Sequence, residues 1–164
     1  MKKSLAAATV LSVFCEMASA QSGVTVYGLL DTGVEYLNHA GEGGVVRMSS
    51  GAMNSSRIGF RGKEDLGGGL QAILQLENGF RLDSGAFDDA SQLFNRQSVV
   101  GLEGRFGRVV AGRSFSTTYD FLLPFDPMAY SAHYSWVTSA GATGDRKDGM
   151  PTAISNLIKY RGDS

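Results

Sequence analysis

Apolar and polar residues take turns along much of this chain. From residue 24 to residue 37, Val24, Val26, Gly28, Leu30, Val34 and Tyr36 fall on one side, with Thr25, Tyr27, Asp31 and Glu35 on the other. A period of two held over that length predicts a strand with one apolar and one polar face. Residues 56 to 64 repeat the pattern, with Ile58, Phe60 and Gly62 opposed to Arg57, Arg61 and Lys63, so that three cations share a face. The cleanest alternation runs from 70 to 82, where Leu70, Ala72, Leu74, Leu76, Phe80 and Leu82 oppose Gln71, Gln75, Glu77 and Arg81. Residues 95 to 106 set Val100, Leu102 and Phe106 against Gln97, Glu103 and Arg105, and Val109, Ala111 and Arg113 continue beyond a turn. A sixth, weaker strand is predicted over 153 to 161, through Ile154, Leu157, Ile158 and Tyr160.

The connections divide into two kinds. Asp65-Leu66-Gly67-Gly68-Gly69 and Gly104 to Gly107 are tight turns, because glycine adopts positive φ without steric penalty. The spans 38 to 54, 83 to 94 and 114 to 152 are long. The third exceeds ordinary loop lengths, and its Phe115, Tyr119, Phe121, Phe125, Tyr130, Tyr134 and Trp136 are too aromatic for a solvated tail, so it is expected to pack against something. Short turns at one end and long loops at the other describe an antiparallel transmembrane β-barrel.

Export is written at the amino terminus. Lys2 and Lys3 precede an apolar stretch from Leu5 to Phe14, and Ala18-Ser19-Ala20 forms a small-residue cleavage site. Residues 1–20 read as a signal peptide and 21–164 as the mature chain. The leader carries Lys2, Lys3, Glu16 and the single cysteine, Cys15. Without it the net charge moves from −1 to −2, and neither disulfides nor thiol chemistry remain. Basic residues are scattered and form no run, which argues against nucleic acid as a partner. After the leader no apolar stretch approaches the ~20 residues of a spanning helix, so any crossing of a membrane is by strands.

No catalytic arrangement emerges, and no cofactor or metal is expected. His39 and His133 are lone histidines without ligand spacing. Gly67 to Gly69 lacks the Lys-Ser/Thr and helix that would make it a phosphate loop, so it reads as a turn. Phe80, Phe106, Tyr36 and Tyr160 near strand ends fit the aromatic girdles of a barrel, though such residues also end ordinary strands. Arg161-Gly162-Asp163 matches a cell-attachment tripeptide, a pattern too short to carry weight.

Four segments together resemble the general trimeric porins of Gram-negative outer membranes. They are Val24-Thr-Val-Tyr-Gly-Leu-Leu-Asp-Thr-Gly33, Ser56-Arg-Ile-Gly-Phe-Arg-Gly-Lys-Glu-Asp-Leu-Gly-Gly-Gly-Leu70, Asn95-Arg96 through Gly101-Leu102, and Gly112-Arg113 leading to Tyr119-Asp120. The resemblance implies a water-filled channel for passive diffusion of small hydrophilic solutes and ions, set in outer-membrane lipid and assembled as a homotrimer. It implies that the third loop folds into the barrel, facing wall arginines with loop carboxylates. Arg57 and Arg96 match the wall arginines, and Asp120 and Asp126 the loop acids. Arg61, Lys63, Arg81 and Arg113 are expected to extend the basic wall by inward parity.

The chain also departs from that family. Its members close with about sixteen strands and end in an aromatic residue, whereas about six strands fit here and the sequence stops at Arg161-Gly162-Asp163-Ser164. Bacterial barrels need at least about eight strands, so the chain reads as the amino-terminal part of a porin, unable to conduct alone. Leu29 stands where relatives often carry a basic residue, and no arginine occurs near Ala153. Two other readings stay open. One is a small outer-membrane barrel for adhesion or anchoring, against which Pro124 and Pro127 speak by interrupting any further strands. The other is a soluble periplasmic β-sandwich that binds a ligand.

Overall fold

The computed structural model describes residues 23–38, 43–131, 135 and 152–162. The signal peptide expected at 1–20 lies outside the described residues, as do His39, His133 and Trp136.

Among the described residues eight antiparallel strands form two sheets. They are β1 (Gly23–Leu29), β2 (Thr32–Leu37), β3 (Val45–Ser50), β4 (Arg57–Gly67), β5 (Leu70–Gly79), β6 (Gln97–Gly104), β7 (Gly107–Phe115) and β8 (Ala153–Arg161). The larger sheet has six strands in the order β1-β4-β5-β6-β7-β8, and β2 pairs with β3 as a separate ribbon. Strands of eight to eleven residues, as β4 to β8 are, suit a tilted crossing of a bilayer.

Two boundaries differ from the sequence reading. The strand expected from 24 to 37 breaks at Leu30 and Asp31, and β3 lies inside the span read as a loop. Asp31 makes the break. Its carboxylate accepts the N–H groups of Met53 and Asn54, its own N–H donates to Ser56 Oγ, and its carbonyl accepts from Gly51 N–H and Ser56 Oγ. This clasp turns the chain out of the main sheet. At the other end of the pattern, β5 stops at Gly79, and Phe80 forms an isolated bridge with Phe87.

The sixth strand is weakly patterned for a structural reason. The register of β7 against β8 shifts between Gly112 and Ser114, and Asn156 adopts φ 58°, a left-handed conformation asparagine tolerates. This bulge puts Ile154 and Leu157 out of step with Ile158 and Tyr160.

The sheet is inside out by the standard of a water-soluble protein. Val24, Val26, Ile58, Val100, Leu102, Ile158 and Tyr160 on the outer face are all exposed, Ile158 to 81%. On the inner face Gln75, Glu77 and Ser114 are buried, and Ile73, Val99 and Val110 form a small apolar floor. A contiguous apolar face of this size belongs against lipid. Among the described residues no helix is long and apolar enough to cross a membrane.

Candidate functional site

The site is built on one row of the inner face. Tyr27 on β1 stands opposite Gly59, Gly59 opposite Glu77, and Glu77 opposite Gln97. Gly59 carries no Cβ, which would lie 2.5 Å from the Tyr27 ring, so the tyrosine can lie across β4 and reach β5. Its hydroxyl donates to Glu77 at 2.7 Å and accepts from Gln75 at 2.9 Å.

Glu77 is the hub. Its side chain is 5% exposed, accepts Arg96 Nε at 2.6 Å and lies 4.0 Å from Arg57 Nε. A carboxylate this deep is tolerable only because charge and hydrogen bonds meet it on both sides. Arg96 also stands over the Phe115 ring at 5.2 Å, and Arg61 over Tyr27 at 4.2 Å, both within cation–π range.

The long loop crosses above this row. Ser116 caps a short helix, α1 (Thr117–Leu122), by accepting the Tyr119 N–H, and a 3-10 turn over Leu123–Phe125 follows. Phe115 stacks on Tyr119 at 4.5 Å and Tyr119 on Tyr130 at 4.4 Å. At one end Lys159 of β8 binds Asp120 at 2.7 Å and the Phe115 carbonyl at 3.0 Å. At the other, Ser131 Oγ donates to the Ala52 carbonyl. The loop is therefore pinned from β8 to the segment before β4, over the inner face. Burial pushes the Tyr119 phenol above its usual range, against the opposing pull of the Arg96 and Arg57 charges.

The expected basic residues fall into three groups. Arg57 and Arg96 flank Glu77. Arg61 shares a hollow of about 230 Å³ with Asp120, and Lys63, paired with Glu103 at 2.7 Å, lines the hollow beside it. Arg81 and Arg113 join Arg96 in a rim cavity of about 450 Å³. Arg81 lies beyond the end of β5 and pairs with Asp83 at 3.1 Å. Arg113 reaches that rim cavity by a route other than simple strand parity. It pairs opposite Ser98, in the row of Val109 and Ala111, and after the bend at Gly112 (φ 131°) its side chain turns to the Asn95 carbonyl and Ser155 Oγ.

Asp120 lines the inner hollow, whereas Asp126 is turned into its own loop. Its carboxylate accepts the N–H groups of Met128 and Tyr130 and the Ser135 hydroxyl, which folds it into the loop itself with 5% of the residue exposed. Burial raises its pKa, yet the hydrogen bonds from Ser135, Tyr130 and Met128 prevail and hold the carboxyl below its usual range. Sequence reasoning put Glu77 on the correct face without giving it a role, and overlooked Lys159, Arg108 and Arg161. Lys159 and Arg161 of β8 alternate with Ile158 and Tyr160, a signal the bulge at Asn156 obscured. Among the described residues no cluster of His, Cys, Asp and Glu could hold a metal.

A greasy outer face, a charged inner face and a pinned loop across it have a known counterpart. The sequence profile of the Gram-negative porins matches residues 7–163. The chain belongs to the Gram-negative porin family. It is 34% identical to an outer membrane porin protein of Bordetella pertussis, covering 98% of this chain and 43% of that one. Outer membrane porin protein 32 of Delftia acidovorans is 38% identical, with 98% and 45% covered. The solved anion-selective porin from Comamonas acidovorans superposes with a TM-score of 0.73 at 34% identity, over 88% of this chain and 43% of that one. The chain thus spans less than half the length of these relatives. Membership in this family makes it a protein of the Gram-negative outer membrane, and its sheet is part of a porin barrel.

Proposed function

We propose that this porin chain forms part of the wall and the constriction loop of a channel for passive diffusion of small hydrophilic solutes and ions. The observation that carries this reading is α1, held by Asp120 and Lys159 over a row of arginines on the polar face of a two-faced sheet. Charges facing a narrow aqueous gap between low-dielectric walls act strongly on passing ions. Cations outnumber carboxylates around the hollow beneath α1, which supports a preference for anions, as does the likeness to the anion-selective porin of Comamonas acidovorans. No bond is made or broken, so the protein is not an enzyme.

Closure needs more wall than these strands provide. β1 and β8 are the unpaired edges of the six-stranded sheet, and unsatisfied backbone in lipid costs several kcal/mol per group. Further strands between β8 and β1 and a homotrimeric assembly complete the proposal, as do removal of residues 1–20 on export and the lining roles of Arg57, Arg61, Lys63, Arg81, Arg96, Arg113 and Asp120. Planar-bilayer recording tests it. The native channel carrying this sequence should give stable openings whose reversal potential in a KCl gradient shifts toward chloride, while residues 21–164 alone should give none. A native protein without openings would refute the reading.

A further inference from the structure

Below the loop, toward the tight turns, the inner face holds a second set of cations with a different arrangement. Arg108 of β7 stands directly opposite Arg161 of β8 in the antiparallel ladder. Side chains so paired have Cβ atoms about 5 Å apart, and like charges there destabilise the sheet. Neither arginine forms a salt bridge among the described residues, and neither does Arg61, whose guanidinium rests on Tyr27. All three line one hollow of about 230 Å³ with Lys159.

The nearby carboxylates relieve this only in part. Glu103 pairs opposite Arg108, but its Oε1 is held by Lys63 Nζ at 2.7 Å. Asp120 is held by Lys159. Five cations, Arg61, Lys63, Arg108, Lys159 and Arg161, therefore meet two carboxylates around two adjoining hollows. Val110, on the apolar floor, and Phe115 wall the first hollow.

We infer that Arg108 and Arg161 form a subsite for a compact oxyanion of phosphate type, on the tight-turn side of the constriction loop. The guanidinium forks present paired N–H donors, which match the oxygens of a tetrahedral dianion better than a single halide. The ion neutralises the part of this cross-strand repulsion that Glu103, shared with Lys63, leaves unmet. The subsite rests on the porin reading and gives it a location: an anion waits here on leaving or entering the constriction.

Isothermal titration calorimetry of the native detergent-solubilised channel with inorganic phosphate tests this, with chloride conductance recorded in parallel. A saturable phosphate site is expected. Arg108→Gln and Arg161→Gln should each weaken it about tenfold, the loss of one charge-assisted pair of hydrogen bonds. The lysine substitutions R108K and R161K should weaken it less, since charge remains without the fork. Thermal melting of the glutamine variants should match or exceed that of the wild type, because a repulsion has been removed. Phosphate binding unchanged in the double glutamine variant, or no saturable binding in the wild type, overturns the subsite. If phosphate binds as expected but no chloride current flows, the porin reading fails and the subsite stands.

Discussion

Two groups of arginines share one face of one sheet and are treated in opposite ways. Arg57 and Arg96 lie either side of a buried carboxylate, Glu77, which is also bonded to Tyr27. Arg108 and Arg161 lie opposite each other with no carboxylate between them. The first group is tied together by its shared carboxylate, which offsets one of its two positive charges. The second is open to an ion from solution. Residue type is the same in both, so the difference lies in what holds the neighbouring carboxylate: Glu77 is bound by Arg96 itself, whereas Glu103, opposite Arg108, is bound by Lys63. A pore needs both conditions: fixed charge to define a field, and unpaired charge to receive a passing ion.

The largest effect should come from breaking the first group. Glu77→Leu strands Arg96 and leaves Arg57 without its acid, and should cost about 3 kcal/mol or more, as for other buried pairs that lose one partner. Urea unfolding of the folded channel checks this, and a loss below about 1 kcal/mol would mean that water already screens the cluster.

Tyr27→Phe removes one donor to Glu77 and the acceptor of Gln75, with an expected cost of about 1.5 kcal/mol by the same measurement. Its effect should largely vanish in the Glu77→Leu background, because the two residues act as one network.

Acid should loosen the loop that covers the first group. Asp126 has a folded-state pKa held below its unfolded one, so its contribution is complete above the ordinary carboxylate value of about 4 and is lost as pH falls below that through the lowered value. Near-UV circular dichroism from the Phe115, Tyr119 and Tyr130 stack should stay constant from about pH 7 to pH 4 and decline below. A decline complete by about pH 5 would assign the hold to another group.

The smallest change sharpens the second group. Arg161→Glu converts the like pair with Arg108 into an opposite one and should raise stability by about 0.5 kcal/mol in low salt, an advantage that high salt removes. A destabilised variant would show that the repulsion is already relieved in the free protein.

Much of this was visible before the fold. Alternation from Leu70 to Leu76 identified the lipid face and put Gln75 and Glu77 inward, because a strand's side-chain period is two wherever its ladder is regular. The reading weakened where the ladder is irregular. At Asp31 a side chain captures backbone N–H groups and ends β1. At Asn156 a bulge shifts parity and hid Lys159 and Arg161. At Gly112 the chain swings, so strand parity alone does not locate Arg113. Asp126 shows a different limit, since an acid in a loop can face solvent or cap its own turn, and local sequence does not distinguish the two.

By itself, then, the amino-acid order determined the two-faced strands, the tight glycine turns and the membership in a family of outer-membrane channels, since these depend on short-range periodicity and local backbone freedom. Tertiary structure alone decided which charges are neighbours. Glu77 meets Arg96 nineteen residues away, Lys159 meets Asp120 thirty-nine away, and Arg108 meets Arg161 without a counter-ion, because pairing across a ladder is set by register over the whole sheet.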